Sequence, residues 1–96
     1  VDDLIRYEWE KVPHFYYNFY VYKYATGISC AIDIASRILS GEEGLVEKYI
    51  NMLKMGGSKK SLDILKTVGI DLEDSRTYEN ALKFYKNDIE KLEELI

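Results

Sequence analysis

The side chains best suited to chemistry are concentrated in one aromatic segment, residues 14–24. The segment holds His14, which is the single histidine of the chain, and five of the nine tyrosines. Imidazole can bind a metal or move a proton, and a buried tyrosine hydroxyl needs a hydrogen-bond partner. The composition therefore allows a site for polar chemistry. A tyrosine-rich helix that only packs in a core is the alternative.

The residues expected in a zinc site are missing from this chain. No HExxH motif occurs, and the single histidine, His14, and the single cysteine, Cys30, lie far apart in the sequence. Because a protein zinc site needs three or four such ligands, we expect that this chain binds no metal alone. Cys30 lies between apolar residues and is predicted to be a small buried core residue rather than a nucleophile.

The composition of the chain argues against some classes of binding partner and favours one cellular location. The chain has 96 residues, a formal net charge of −4 and a pI of about 5.0, and it lacks the basic surface expected of a nucleic-acid-binding protein. Its longest apolar stretch, Val21 to Ile32, is too short and too polar to span a bilayer, and its first residues do not resemble a signal peptide. A single cysteine excludes an internal disulfide and favours the cytoplasm. We therefore expect no nucleic-acid partner and no membrane.

The apolar spacing is helical nearly throughout, so the chain is predicted to be all-α, a small helical bundle. Asp2 or Asp3 is expected to cap a short first helix that ends near Glu10. Pro13 interrupts the chain and then suits the first turn of a second helix. That second helix is predicted from about His14 to Leu39, loosened at Gly27.

Three further helices are predicted. The run from Ser40 to Glu43 has the pattern of a capping box, and would open a third helix that ends near Met55. Ser58 is expected to cap a short fourth helix, which Gly69 ends in a left-handed conformation. Residues 70–75 form a polar connection, and an amphipathic fifth helix runs from about Arg76 to the end.

Large aromatic groups occupy every side of the predicted second helix. Successive helical residues turn by about 100°, which places His14, Tyr17 and Tyr24 on one side and Tyr16 and Tyr20 on another. A helix that is apolar all round is usually buried inside a larger body. We therefore expect this helix to belong to a larger protein or to an oligomer, with a small self-contained bundle as the alternative.

The aromatic segment and its flanks resemble a known family. Residues 9–27, with the core run PHFYYNFYVYKYATG, look like the sequence that follows the zinc site in bacterial oligoendopeptidase F enzymes of the M3 (M3B) family. The resemblance continues through residues 37–41, 53–58 and 65–71, and so covers essentially the whole chain.

The resemblance implies an all-α zinc metalloendopeptidase that hydrolyses short peptides in the cytoplasm. Zinc in such enzymes is held by an HExxH helix and a later glutamate, and a water molecule attacks the peptide carbonyl. Residues 1–96 are then expected to be a C-terminal helical fragment of the catalytic domain, with the zinc-binding helix N-terminal to Val1. The implied partners are short peptide substrates and the remainder of the peptidase chain, and the isolated chain is expected to be inactive.

The resemblance also implies residue roles. Tyr17 matches the tyrosine that faces the developing oxyanion, and His14 matches a substrate-contacting position. Tyr16, Tyr20 and Tyr24 would line the substrate channel or pack beside it. The alternative function is a stand-alone helical interaction domain that binds a partner through its aromatic helix, with self-association of the fragment as one outcome.

Overall fold

The computed structural model describes residues 2–96, and within them the chain is all-α, as predicted; no strand occurs in this range. Two 3₁₀ helices come first, and four α-helices follow. The 3₁₀ helices are Asp3–Lys11 and Pro13–Tyr16, and the α-helices are α1 (Tyr22–Leu39), α2 (Leu45–Met55), α3 (Ser61–Lys66) and α4 (Arg76–Leu95). Asp2 caps the first 3₁₀ helix by accepting a hydrogen bond from the Leu4 amide, so the predicted cap is confirmed.

The predicted continuous helix from His14 to Leu39 is wrong in its first third. After Pro13–Tyr16 the backbone becomes extended at Tyr17 (φ −94°, ψ 120°), and Phe19 adopts a left-handed conformation (φ 55°). Only from Tyr22 does the chain become α-helical, and it continues through Gly27 without a break. The apolar spacing could not reveal this break because no glycine or proline marks it.

The structure at the end of α1 shows that a second prediction, the capping box from Ser40 to Glu43, is wrong. Gly41 has a φ of 82°, the Glu42 amide donates to the Arg37 carbonyl, and the Gly41 amide donates to the Ile38 carbonyl. These bonds form a Schellman motif, which ends a helix. Ser40 is therefore the C-cap of α1 and not the first residue of a capping box. Helix α2 instead begins after Gly44, which has a φ of 73°.

A second Schellman motif ends the α3 segment. Gly69 is left-handed (φ 78°), as predicted, and the Ile70 amide donates to the Leu65 carbonyl. The residue after the glycine in this motif often makes an apolar contact with the helix, and Ile70 is accordingly fully buried. The predicted polar connection therefore begins with a core residue. The predicted cap at Ser58 is wrong, because Lys60 holds the N-cap position.

The core is small and lies where α1 meets α2 and the end of α3. Its buried members are Cys30, Ile34, Leu45, Val68 and Ile70. Three of them, Leu45, Val68 and Ile70, are at most 1% exposed. Cys30 lies in this core, as predicted, and burial together with the nearby Asp33 carboxylate raises the pKa of its thiol.

Polar contacts join α1 to the loop that follows it and to the C-terminal half of the chain. The buried Asp33 carboxylate accepts hydrogen bonds from the Thr77 hydroxyl (3.2 Å) and the Asn80 amide (3.0 Å) of α4. Arg37 donates to both carboxylate oxygens of Glu42 (2.7 Å each) and to the Val68 carbonyl (3.0 Å). A buried carboxylate costs free energy unless it is hydrogen-bonded. The bonds from Thr77 and Asn80 therefore stabilise the packing of α1 against α4, the two longest helices.

Much of the apolar surface of the chain is exposed to solvent. Its accessible surface is 8028 Å², whereas a compact monomer of this mass exposes about 5,700 Å². Its radius of gyration is 17.0 Å, against about 12.5 Å for a compact domain of this length. The uncovered surface includes Leu82 and Tyr85 on the predicted apolar face of α4. Within the described residues no helix has the length and apolar character needed to cross a bilayer.

Candidate functional site

Four aromatic rings of the sequence-predicted site lie together on the surface, and we call them the ring cluster: His14, Tyr17, Tyr20 and Tyr24. The His14 ring stacks on Tyr20 with centroids 5.4 Å apart and planes 21° apart. It meets Tyr17 and Tyr24 edge to face, each at 6.3 Å. The structure therefore joins both predicted catalytic residues to two of the three predicted substrate-binding tyrosines.

The break in the helix creates the ring cluster. In a continuous α-helix, His14 and Tyr24 would be separated by a rise of about 15 Å, yet their ring centroids are 6.3 Å apart. The extended Tyr17 and the left-handed Phe19 turn the chain back before α1 begins. The same turn brings Tyr20 into the cluster, although helical geometry had assigned it to a different side from His14.

Tyr16 lies outside the ring cluster. Its hydroxyl donates a 2.8 Å hydrogen bond to the Glu10 carbonyl and so ties the second 3₁₀ helix to the first. Trp9 and Phe15 make an edge-to-face contact across the same junction, with centroids 6.3 Å apart. The structure thus gives Tyr16 a local packing contact, and its predicted contact with substrate stays a prediction.

The hydroxyl groups of the ring cluster differ in their hydrogen bonding. The Tyr20 and Tyr24 oxygens lie 3.4 Å apart, and this hydrogen bond, with the charge of Tyr20, raises the pKa of Tyr24. Within residues 2–96 the Tyr17 hydroxyl makes no hydrogen bond, and the side chain is 58% exposed. Tyr17 therefore presents a donor that is available to a ligand.

The residues described here do not fit a zinc ion. Nowhere in residues 2–96 do three His, Cys, Asp or Glu side chains lie close enough together to hold a metal. His14 is surrounded by tyrosine rings, and Cys30 is buried in the core with a raised thiol pKa. A polar cavity of about 260 Å³ beside Asp33 is lined by groups already bonded to one another, including Arg37 and Glu42.

Residues 3–84 match peptidase family M3. The chain belongs to this family. Relatives in the M3 family include the oligopeptidase PepF of Bacillus subtilis, which is 42% identical over all 96 residues. Another is an oligoendopeptidase F homolog of Borreliella burgdorferi, which is 43% identical over 94 residues, or 98% of this chain. The chromosomal oligoendopeptidase F of Lactococcus lactis subsp. cremoris is 40% identical over 92 residues, or 96%.

The M3 chain described here is much shorter than these relatives. It spans 14%, 16% and 15% of their respective lengths. No solved structure matches it significantly. The match over residues 3–84 and these identities confirm the predicted family, and the chain spans only a small part of each relative's length.

Proposed function

We propose that this chain forms one wall of the substrate cleft in a zinc metalloendopeptidase that hydrolyses short peptides. Membership of the M3 family and the names of the relatives support a part in peptide hydrolysis. The single observation that carries the proposal for this segment is the ring cluster, in which the predicted site residues His14 and Tyr17 meet at the surface. The zinc ion would be held by residues outside the described range, in the remainder of the peptidase chain.

Tyr17 is proposed as the donor to the oxyanion. When water adds to a peptide carbonyl, the carbonyl oxygen becomes negatively charged, and a hydrogen-bond donor aimed at that oxygen lowers the barrier. The Tyr17 hydroxyl has no partner among residues 2–96, whereas the Tyr20 and Tyr24 hydroxyls lie beside each other. A donor that is not already engaged loses no internal bond when it turns to the oxyanion.

His14 is proposed to contact the substrate next to Tyr17. Its half-buried ring is held by three tyrosines, so the imidazole is fixed relative to the proposed donor. Tyr24 would line the cleft beside it, with its hydroxyl next to that of Tyr20. The cluster then offers peptide substrates a polar, aromatic wall.

The proposal is tested by replacing Tyr17 with phenylalanine in the full-length enzyme that carries this segment. Loss of one oxyanion donor typically lowers kcat by about a hundredfold or more, while bound zinc, measured by metal analysis, should stay unchanged. Tyr85→Phe on α4 is the matched control, because Tyr85 is exposed and lies outside the ring cluster. An unchanged turnover number in Tyr17→Phe would refute the role proposed for Tyr17.

The isolated 96-residue chain is proposed to be inactive, because residues 2–96 hold no group of three side chains that could bind zinc. We expect no peptide hydrolysis when zinc is added to the purified chain. Turnover that survives further purification and disappears with a chelator would contradict this argument.

A second candidate function is that of a stand-alone interaction domain. The observation that favours it is the exposure of large aromatic side chains, among them Phe19 at 87%, since extended apolar patches mark interfaces. In this case the chain should associate with itself or with a partner helix in sedimentation experiments. A clean monomer at all concentrations would count against it.

A further inference from the structure

Tyr20 occupies the centre of the ring cluster. Its ring centroid lies 5.4 Å from His14, 6.1 Å from Tyr17 and 5.8 Å from Tyr24. Tyr17 and Tyr24 form no ring pair with each other within the described residues, so Tyr20 and His14 are the members that link the cluster together. Tyr20 is also half-buried, whereas Tyr17 and Tyr24 are exposed.

The geometry of these contacts allows the Tyr20 ring to hold the neighbouring rings in place. Tyr17 and Tyr24 both meet Tyr20 nearly perpendicularly, at 87° and 78°, and His14 stacks on it at 21°. Edge-to-face and offset-stacked arrangements are the favourable ones for aromatic pairs. The Lys23 ammonium lies over the same ring, 5.4 Å from its centroid, in a cation–π contact that further fixes the Tyr20 side chain.

We propose that Tyr20 is a positioning residue whose ring holds Tyr17 and His14 in the orientation needed for the reaction. This inference rests on the proposed function of Tyr17. It assigns to Tyr20 a role different from the substrate contact that the family resemblance implies for it. An exposed tyrosine side chain has several staggered rotamers, and packing against Tyr20 selects the one that Tyr17 adopts here.

The ring of Tyr20, rather than its hydroxyl, carries this role. Its hydroxyl makes one hydrogen bond, to the Tyr24 hydroxyl, and at 3.4 Å this bond is longer than the usual O–H···O range of about 2.5–3.0 Å. The ring, by contrast, makes all three aromatic contacts. Phenylalanine should therefore replace Tyr20 with little loss, and a branched aliphatic side chain should not.

The test uses Tyr20→Leu and Tyr20→Phe in the full-length enzyme. Because small misplacements of a catalytic group can cost as much as about a hundredfold in rate, we expect Tyr20→Leu to lower kcat by about tenfold or more with KM changed by less than about twofold. Tyr20→Phe should restore kcat to near the wild-type value. Equal losses in both variants, or no loss in Tyr20→Leu, would overturn the proposal.

A double-mutant cycle with Tyr17→Phe separates positioning from general structural damage. If Tyr20 acts through the Tyr17 hydroxyl, Tyr20→Leu should lower kcat far less in a Tyr17→Phe background than in the wild type. Independent, multiplicative losses would overturn the positioning proposal and leave the proposed role of Tyr17 intact. A Tyr17→Phe variant with unchanged kcat would instead remove the proposed function, and with it the positioning role.

Discussion

Large side chains face outward in the aromatic segment, residues 14–24, and inward where α1 meets α2 and the end of α3. Phe19 is 87% exposed, whereas Leu45 and Ile70 are fully buried. In the aromatic segment the rings contact one another at the surface. In the core, apolar side chains pack together, and Asp33 is satisfied by hydrogen bonds from α4.

The difference shows that the residues that stabilise the fold and the residues of the candidate site lie in separate regions of the chain. Buried side chains cannot reach a substrate, so the residues that fix the fold are unavailable for chemistry. The ring cluster contributes little to the core, and its geometry depends on a turn with a left-handed non-glycine residue, Phe19. Such conformations are uncommon and are enriched at functional sites.

The largest effect is expected from the core. Leu45→Ala removes a fully buried side chain, and such substitutions cost about 2–5 kcal/mol of unfolding free energy. Leu53→Ala, on the exposed part of the same helix, should change it by no more than about 0.5 kcal/mol. Urea unfolding of the 96-residue protein measures both. Similar losses in the two variants would contradict the assignment of Leu45 to the core and of Leu53 to the surface.

A smaller effect is expected at the turn of the aromatic segment. A side-chain-bearing residue in the left-handed region costs about 1–2 kcal/mol, and a β-branched residue is less tolerated there than phenylalanine. Phe19→Val should therefore disturb the ring cluster and lower the turnover of the full-length enzyme. Phe19→Gly accepts the positive φ without strain and should preserve turnover. Loss of activity in Phe19→Gly alone would mean that the Phe19 side chain, not the backbone, matters.

The smallest effect is expected from a surface ion pair beside the core. The Arg37 guanidinium donates hydrogen bonds to Glu42 and lowers its pKa below the ordinary value of 4.5. A lowered pKa in the folded state contributes stability above pH 4.5, and that contribution is lost as pH falls through the folded value. We expect Glu42→Gln to lower the melting temperature slightly at pH 7 and less at pH 3.

The control for this pH dependence is Glu43→Gln, because Glu43 makes no ion pair within residues 2–96. It should leave the melting temperature nearly unchanged at both pH values. A Glu42→Gln variant with the same deficit at pH 3 as at pH 7 would show that the carboxylate charge is not the cause.

The sequence by itself determined the helical class, the left-handed end at Gly69, the burial of Cys30 and the amphipathic last helix. Each depends on local pattern: the spacing of apolar residues, the conformational freedom of glycine, or small apolar neighbours. The unusual aromatic run also carried the resemblance to the M3 family, which the comparisons confirmed. The roles of His14 and Tyr17 remain predictions for the experiments above.

Only the tertiary structure decided where two helices end and begin. The run from Ser40 to Glu43 suits either the start of a helix or the end of one, and the Schellman bonds to α1 select the end. The burial of Ile70 follows from the same motif after α3, and Gly69 is the sequence signal for it, because the residue after such a glycine often packs against the helix. Asp33 offered no local signal, because its partners Thr77 and Asn80 lie more than forty residues away in the chain.

The ring cluster shows the same limit most clearly. Sequence spacing identified the residue types, but it assumed a helix, in which His14 and Tyr24 are distant and Tyr20 lies on another side. The contact between these rings depends on the turn at residues 17–21, and this turn contains no glycine or proline that would predict it. The sequence gives the chemical type of each residue directly. The distances between the reactive groups depend on backbone torsions that are set by the folded chain as a whole.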